Sequence, residues 1–339
     1  MVQFVLPLRF VPDHLLAGTP NVVVDGSPND DTVLTLSHWP GMPTPPELRD
    51  DLSAQIVFRA LAEPQRFDAV GAVTNNHFDQ DGLTGIFTLT HPEIAVLHRE
   101  LLIDVARAGD FGTFHSRTAA RLAMTIAALD DDQRSPLPAA SLSAPYPQRC
   151  ADLYQWALPQ VEQMLTQPDA WKHLWADEDA HLEHSLQAIA TGAVSIVERA
   201  AVDLAIVDVP QQWGRRPTHR FTQTWTESVH PMAVNNSTEC LRVVLVQGQR
   251  YRLELRYESW VMFMSRPVLP RPDLRVLADE LTAIESGGAV WTADGPGALT
   301  PKLSLADDAE SSLAPDAVVA EVERFLAAAR PAWNPFASA

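Results

Sequence analysis

The chain has 339 residues and carries 25 Lys and Arg against 43 Asp and Glu, a formal charge of −18. With 46% apolar residues it can build real cores, and a length of this order suggests about two domains. So acidic a chain is excluded from coating long nucleic acid, which demands Lys and Arg against the phosphates, and its two cysteines, Cys150 and Cys240, are too few for a disulfide framework or a thiolate metal site.

The opening stretch, MVQFVLPLRFVPDHLL, carries Arg9 and Asp13 and is broken by Pro7 and Pro12, unlike a secretory signal. No run approaches the roughly 18 apolar residues of a membrane span. Together with the sparse cysteines, this suggests a reducing, cytoplasmic setting. Val22-Val23-Val24 ends in Asp25-Gly26, and Thr32 to Leu36 ends in Ser37-His38; both read as short buried strands. A helix follows over 52–61, and 67–73 reads as a third strand running into Thr74-Asn75-Asn76-His77-Phe78-Asp79-Gln80-Asp81-Gly82. Further helices are expected over 83–89, 94–106 and 116–129, with Asp110 in the turn between the last two.

The segment from Ser135 to Pro147 is rich in proline and reads as a connector, followed by a wholly helical pattern over 149–199. From Asp203 the texture returns to strands: DLAIVDVP, then a hairpin of 241–246 and 251–264, then a helix over 273–284 before Ser286-Gly287-Gly288. The fold expected is therefore α/β. A domain over 1–130 has a mainly parallel sheet with helices on both faces, 131–200 is a linker and helical connector, and 201–339 is a second, smaller α/β domain.

All three N-terminal strands end in a side chain able to hold a metal, where ligands of such sheets bind. His77, Asp79 and Asp81 alternate, so extended backbone sends them to one side. Imidazole with carboxylates suits Mn²⁺ or Mg²⁺. The alternative for this string is a polar turn in which Asp79 or Asp81 caps a helix.

The string NNHFDQDGLTG resembles the first motif of the DHH phosphoesterase superfamily. Asp25 resembles its strand-end Asp, Ser37-His38-Trp39 stands where its DHH triplet falls, and Asp110 in GDFGTF resembles its fourth motif. The motif order is that of a circular permutation, and only the central His of the triplet is kept. The resemblance implies two Mn²⁺ or Mg²⁺ ions: His77, Asp79 and Asp25 at one, and Asp81, Asp25, His38 and Asp110 at the other. Asp25, His38, Asp81 and His115 are implied at the reacting centre, with outer support from Asn75, Asn76 and His115. The C-terminal half resembles the DHH-associated domain, which implies Arg266, Gly287 and Gly288 on a substrate-binding face; Arg215 and Arg216 are further cationic candidates, or an ordinary solvated loop. The whole chain also resembles an uncharacterised bacterial family.

The activity so implied is a metal-dependent phosphoesterase acting on a small phosphorylated compound, a nucleotide or short oligonucleotide, with no membrane or long nucleic acid as partner and a homodimer left open. Because the triplet lacks its Asp and second His, the alternative is a metal- or nucleotide-binding protein without turnover. Two weaker signals complete the reading. Glu178, His181 and His184 read as a solvated helical face, and the Arg- and aromatic-rich hairpin (Arg242, Arg250, Tyr251, Arg252, Arg256, Tyr257, Trp260) as either an amphipathic strand pair or a base-stacking platform.

Overall fold

Three short strands, Asn21–Val24 (β1), Thr32–Leu36 (β2) and Ala72–Thr74 (β3), form a wholly parallel sheet in the order β2-β1-β3. The computed structural model describes residues 7–221 and 223–337, so the first residues of the apolar N-terminal stretch lie outside it. β1 is central and fully buried, as its unbroken run of valines requires. The third strand starts later than the sequence suggests, because Pro64–Phe67 closes into a 3₁₀ turn.

Helices Ser53–Ala60 (α1), Gln80–Thr90 (α2), Pro92–Leu97 (α3), Arg99–Asp110 (α4) and Arg117–Leu129 (α5) complete this layer. The single helix expected over 94–106 is two, broken at His98 (φ −113°, ψ 18°), and Asp110 is the last residue of α4 rather than part of a turn. α2 is buried from Gln80 to Leu89. Gly85 lets it lie directly on β1: a Cβ there would stand 2.5 Å from Val24 Cγ1.

The chain divides into two compact units, one running to Ala180 and taking in Pro217–Thr226, the other made of His181–Arg216 and Glu227 onward. The stretch expected as a linker therefore belongs largely to the first unit. It forms Ala139–Leu142 (α6), Tyr146–Ala157 (α7), Val161–Thr166 (α8) and the start of Lys172–Thr191 (α9). The reason lies in its apolar face: Leu153, Tyr154 and Ala157 of α7 are fully buried, and Arg149 is bonded to Asp130.

In the second unit, Ser195–Arg199 (β4) and Leu204–Asp208 (β5) precede the ribbon strands Arg216–Arg220 (β6) and Gln223–Glu227 (β7), of which Pro217–Thr226 counts with the first unit. Then follow Pro231–Asn235 (α10), Arg242–Gln247 (β8), Arg250–Leu255 (β9), Leu274–Ile284 (α11), Trp291–Ala293 (β10), Lys302–Leu305 (β11) and Pro315–Ala328 (α12). The sheet order is β10-β11-β9-β8-β5-β4, antiparallel except for β5 against β8. Leu274, Leu277 and Leu281 of α11 join Val318, Val322 and Phe325 of α12 in a core with Leu253 and Leu303.

β4 corrects the helix expected through residue 199: α9 ends at Thr191, and Gly192 takes the left-handed conformation (φ 77°) that stops it. The solvated face expected of α9 holds for His184, which is exposed, and is overturned for Glu178 and His181. Glu178 and His181 are 3% and 1% exposed, Glu178 bonded to His219 in the first unit and His181 packed edge-on against His230 in the second. In the hairpin β8–β9 the arginines serve the fold: Arg242 donates to Val202 O and Pro270 O, Arg252 pairs with Glu227, and Arg256 binds Glu258. No helix among the described residues is long and apolar enough to cross a membrane.

Candidate metal centre

Because β1, β2 and β3 are parallel, their carboxyl ends open on one edge, and the side chains that follow each strand meet there. Asp25 follows β1 in a left-handed conformation (φ 52°), which Asp tolerates better than most residues. His38 follows β2, and the His77 loop leads from β3 into α2. Asp110 arrives from the end of α4.

Two groups of metal-competent side chains are found among the described residues, Asp25-His38-Asp81 and Asp25-His77-Asp79, each with its ligand atoms within 4.8 Å of one another. They share Asp25. His38 Nε2 lies 3.4 Å from Asp25, 3.5 Å from Asp110 and 4.0 Å from Asp81; His77 Nε2 lies 3.3 Å from Asp25 and 3.1 Å from Asp79.

Each member is held from behind. The first amides of α1 grip Asp81, Ser53 N and Ala54 N donating to its two oxygens at 2.7 Å, and Ser53 Oγ donates to Asp25 at 2.8 Å. Asp79 caps α2 by accepting from Gly82 N at 2.8 Å while its other oxygen faces His77, so the capping reading of this string and the metal reading hold together. Oxygen atoms also fix both imidazoles: His38 Nδ1 meets the Asp51 carbonyl at 2.5 Å and His77 Nδ1 meets Asn76 Oδ1 at 3.2 Å. A carbonyl oxygen only accepts, so each Nδ1 carries the hydrogen and each Nε2 is turned to the carboxylates, as in metal-ligating histidines.

The electrostatics are those of buried carboxylates held close together. Asp25, Asp79, Asp81 and Asp110 are between 0% and 6% exposed, and His38 and His77 stand among them. Burial, then the charges of Asp25 and Asp79, push Asp81 well above the usual carboxylate range, and burial with Asp79 raises Asp25. For His77, burial would lower the pKa, but the charge of Asp79 and bonds to Asp25 and Asp79 outweigh it and raise the value to about 10. Asp79 shifts down despite its burial, through the charge and hydrogen bond of His77. Divalent cations fit this donor set, which offers hard oxygens, two oriented imidazole nitrogens and a carboxylate common to both halves.

Trp39, the third residue of the triplet position, stacks beside His77 with ring centroids 5.1 Å apart. His77 is one-fifth exposed, whereas Asp25, His38, Asp79, Asp81 and Asp110 are buried. Asn75 and Asn76 brace the loop from within, Asn75 Oδ1 accepting from the Asn76 amide at 2.7 Å and Asn76 Oδ1 meeting His77 Nδ1 at 3.2 Å. His115 does not enter the cluster: its side chain is 79% exposed and pairs with Asp104, whose carboxylate is fixed by the amides of His115 and Ser116 ahead of α5.

The residues suggested for substrate binding lie in the second unit. Arg266 donates to the Glu239 carbonyl, Arg215 pairs with Asp308 at 2.7 Å, Arg216 begins β6, and Gly287 and Gly288 follow α11, Gly288 with φ 73°. The outer support from Tyr146 and Tyr154, beyond the stretch where the resemblance runs, has no local sequence signal.

The chain belongs to a family of unknown function, DUF6687, whose profile matches residues 6–337. No curated protein matches it.

Proposed function

We propose that this protein is a two-metal-ion phosphoesterase of DHH-like type, with permuted motif order, acting on a small phosphorylated compound such as a nucleotide or short oligonucleotide. The observation that carries the reading is the pair of triads joined through Asp25, each with an imidazole whose Nδ1 is tied to an oxygen and whose Nε2 faces carboxylates. Two Mn²⁺ or Mg²⁺ ions would supply charge to clamp a phosphoryl group and activate a water at neutral pH. His77, Asp79 and Asp25 would hold one ion, and Asp25, His38, Asp81 and Asp110 the other.

The protein's own part is preorganisation. Ser53 and the α1 amides keep Asp25 and Asp81 in place before any ion arrives, so little reordering accompanies binding. Asp51 and Asn76 orient the imidazoles, and burial keeps competing water from most of the cluster. A cytoplasmic setting is consistent with Cys150 and Cys240, both buried and free.

One observation favours a second reading, binding without turnover. The indole of Trp39 sits against His77 at the position of the triplet's second histidine, and His115 does not replace that histidine. Hydrolysis of a model phosphodiester and a nucleotide panel, with and without Mn²⁺, separates the two. Mn²⁺-dependent turnover that Asp79→Ala abolishes supports the enzyme; turnover that survives Asp79→Ala overturns the assigned site, and tight Mn²⁺ binding with no turnover favours the second reading.

A further inference from the structure

Helix α7 comes from the segment that the sequence presents as a connector, yet it meets the ligand loop with two hydroxyls. Tyr146 and Tyr154 are eight residues apart, a little over two turns, and so share a face of α7. Tyr154 Oη accepts from Asn75 Nδ2 at 3.2 Å. Asn75 Oδ1 in turn accepts from the amides of Asn76 (2.7 Å) and His77 (3.3 Å), and Tyr146 Oη accepts from the amide of Phe78 at 3.3 Å. Three consecutive amides of the loop that presents His77 and Asp79 are thus engaged by α7, directly or through Asn75.

The space for this contact is built in. A Cβ on Gly82 would stand 2.4 Å from Asn75 Nδ2 and 2.6 Å from Tyr154 Oη, and a Cβ on Gly26 would stand 2.8 Å from Asn75 Oδ1. Gly26 and Gly82 directly follow Asp25 and Asp81, so the amide of Asn75 fills a slot between the chain segments that carry two of the carboxylates. The phenol is anchored in turn: its ring packs on Phe10 and Phe78 with centroids 4.9 and 5.1 Å away, and the residue is fully buried. Burial raises the hydroxyl well above its usual pKa, so it adds no charge beside the carboxylates.

We propose that Tyr154, acting through Asn75, is a positioning residue that sets the geometry of the His77–Asp81 loop for a divalent cation, an inference that rests on the two-ion reading of the site. Among the described residues the bond chain ends on the amides of the loop, which is why its loss should be felt first in metal affinity. Outer partners of metal ligands typically contribute about 10- to 100-fold to affinity.

The test is calorimetric titration of Mn²⁺ into the chelator-treated full chain, for wild type, Tyr154→Phe, Asn75→Ala, the double variant and Asp25→Asn, with melting curves of each metal-free protein. Tyr154→Phe keeps the ring and its packing. We expect its Mn²⁺ affinity to fall about 10-fold with the metal-free melting temperature nearly unchanged, and the double variant to lose little more than Asn75→Ala alone. Unchanged affinity in Tyr154→Phe beside a normal wild type and a non-binding Asp25→Asn overturns the positioning role alone. A lower melting temperature with unchanged affinity also overturns it, leaving a merely structural tyrosine. A wild type that takes up no Mn²⁺ overturns the two-ion reading, and the positioning role with it.

Discussion

Adding Mn²⁺ to the chelator-treated protein should raise the melting temperature of the first unit by about 10–20 °C, and the ligand geometry says how variants divide that gain. Carboxylate oxygens of Asp25 and Asp81 lie within 4.8 Å, as do those of Asp25 and Asp79. At an effective dielectric of about 20, a pair of full charges at that separation repels by ~3.5 kcal/mol; in the metal-free protein the cationic His77 and the raised pKa of Asp81 relieve part of this, and bound cations relieve the remainder. Mass action gives a figure of the same order: an ion at about 100 times its dissociation constant stabilises by ~2.7 kcal/mol, hence ~5 kcal/mol for two. At about 2–4 °C per kcal/mol for a unit of this size, the shift follows. Asp79→Asn keeps the α2 cap through Oδ1 and spares the His38 half, so it should retain roughly half of the shift. Asp25→Asn belongs to both halves and should lose nearly all of it. Differential scanning calorimetry over a Mn²⁺ series reads these values. A wild-type shift below about 2 °C at saturation, or equal shifts in wild type and Asp25→Asn, refutes the reasoning.

Three further outcomes are expected. Trp39→His restores the histidine that the triplet position lacks and should raise Mn²⁺-dependent turnover of a model phosphodiester by about 10-fold or more, with Mn²⁺ stoichiometry unchanged; no rise means that the indole is not what limits catalysis. His219, which bonds Glu178 at 2.5 Å and Asp131 at 3.0 Å and also faces Arg134, has a raised pKa because those carboxylates outweigh its burial, so its contribution is complete below about pH 6.5 and is lost as pH rises through the higher folded value. Amide exchange in the β6–β7 ribbon should therefore accelerate as pH rises above about 6.5, beyond the intrinsic trend, and His219→Gln should remove that dependence. Arg271→Lys should destabilise the second unit by about 3 kcal/mol or more in urea, because the buried guanidinium donates to Ser259 Oγ and to the carbonyls of Arg256, Pro296, Ala298 and Leu299, which an ammonium cannot all reach; a loss under 1 kcal/mol would contradict that role.

The candidate ligands are legible in the sequence wherever they sit at strand ends. Asp25, His38 and the alternating His77, Asp79 and Asp81 each follow a short apolar run, and a parallel sheet brings such ends together whatever the order of its strands. Asp110 was identifiable by its motif but not by its setting, since α4 continues to it instead of ending earlier. His115 was misread because its fate depends on Asp104, which sits a helix away and fixes the amides ahead of α5. Tyr154 was out of reach altogether: it lies 79 residues from Asn75, in a proline-flanked stretch whose local texture suggests a connector. β4 did carry a signal, Gly192 followed by Val194, Ile196 and Val197, but the long helical pattern before it masked the change of period. Burial of Glu178 and His181 was invisible for a related reason, since their partners, His219 in β6 and His230 at the start of α10, come from distant segments.

The central claim is a pair of ions joined by one carboxylate, and anomalous diffraction from crystals of the full chain grown with Mn²⁺ tests it most directly. The account predicts two manganese peaks flanking Asp25, one ligated by His77 Nε2 and Asp79, the other by His38 Nε2, Asp81 and Asp110. A single peak that leaves either histidine unligated, or manganese bound away from Asp25, would contradict it.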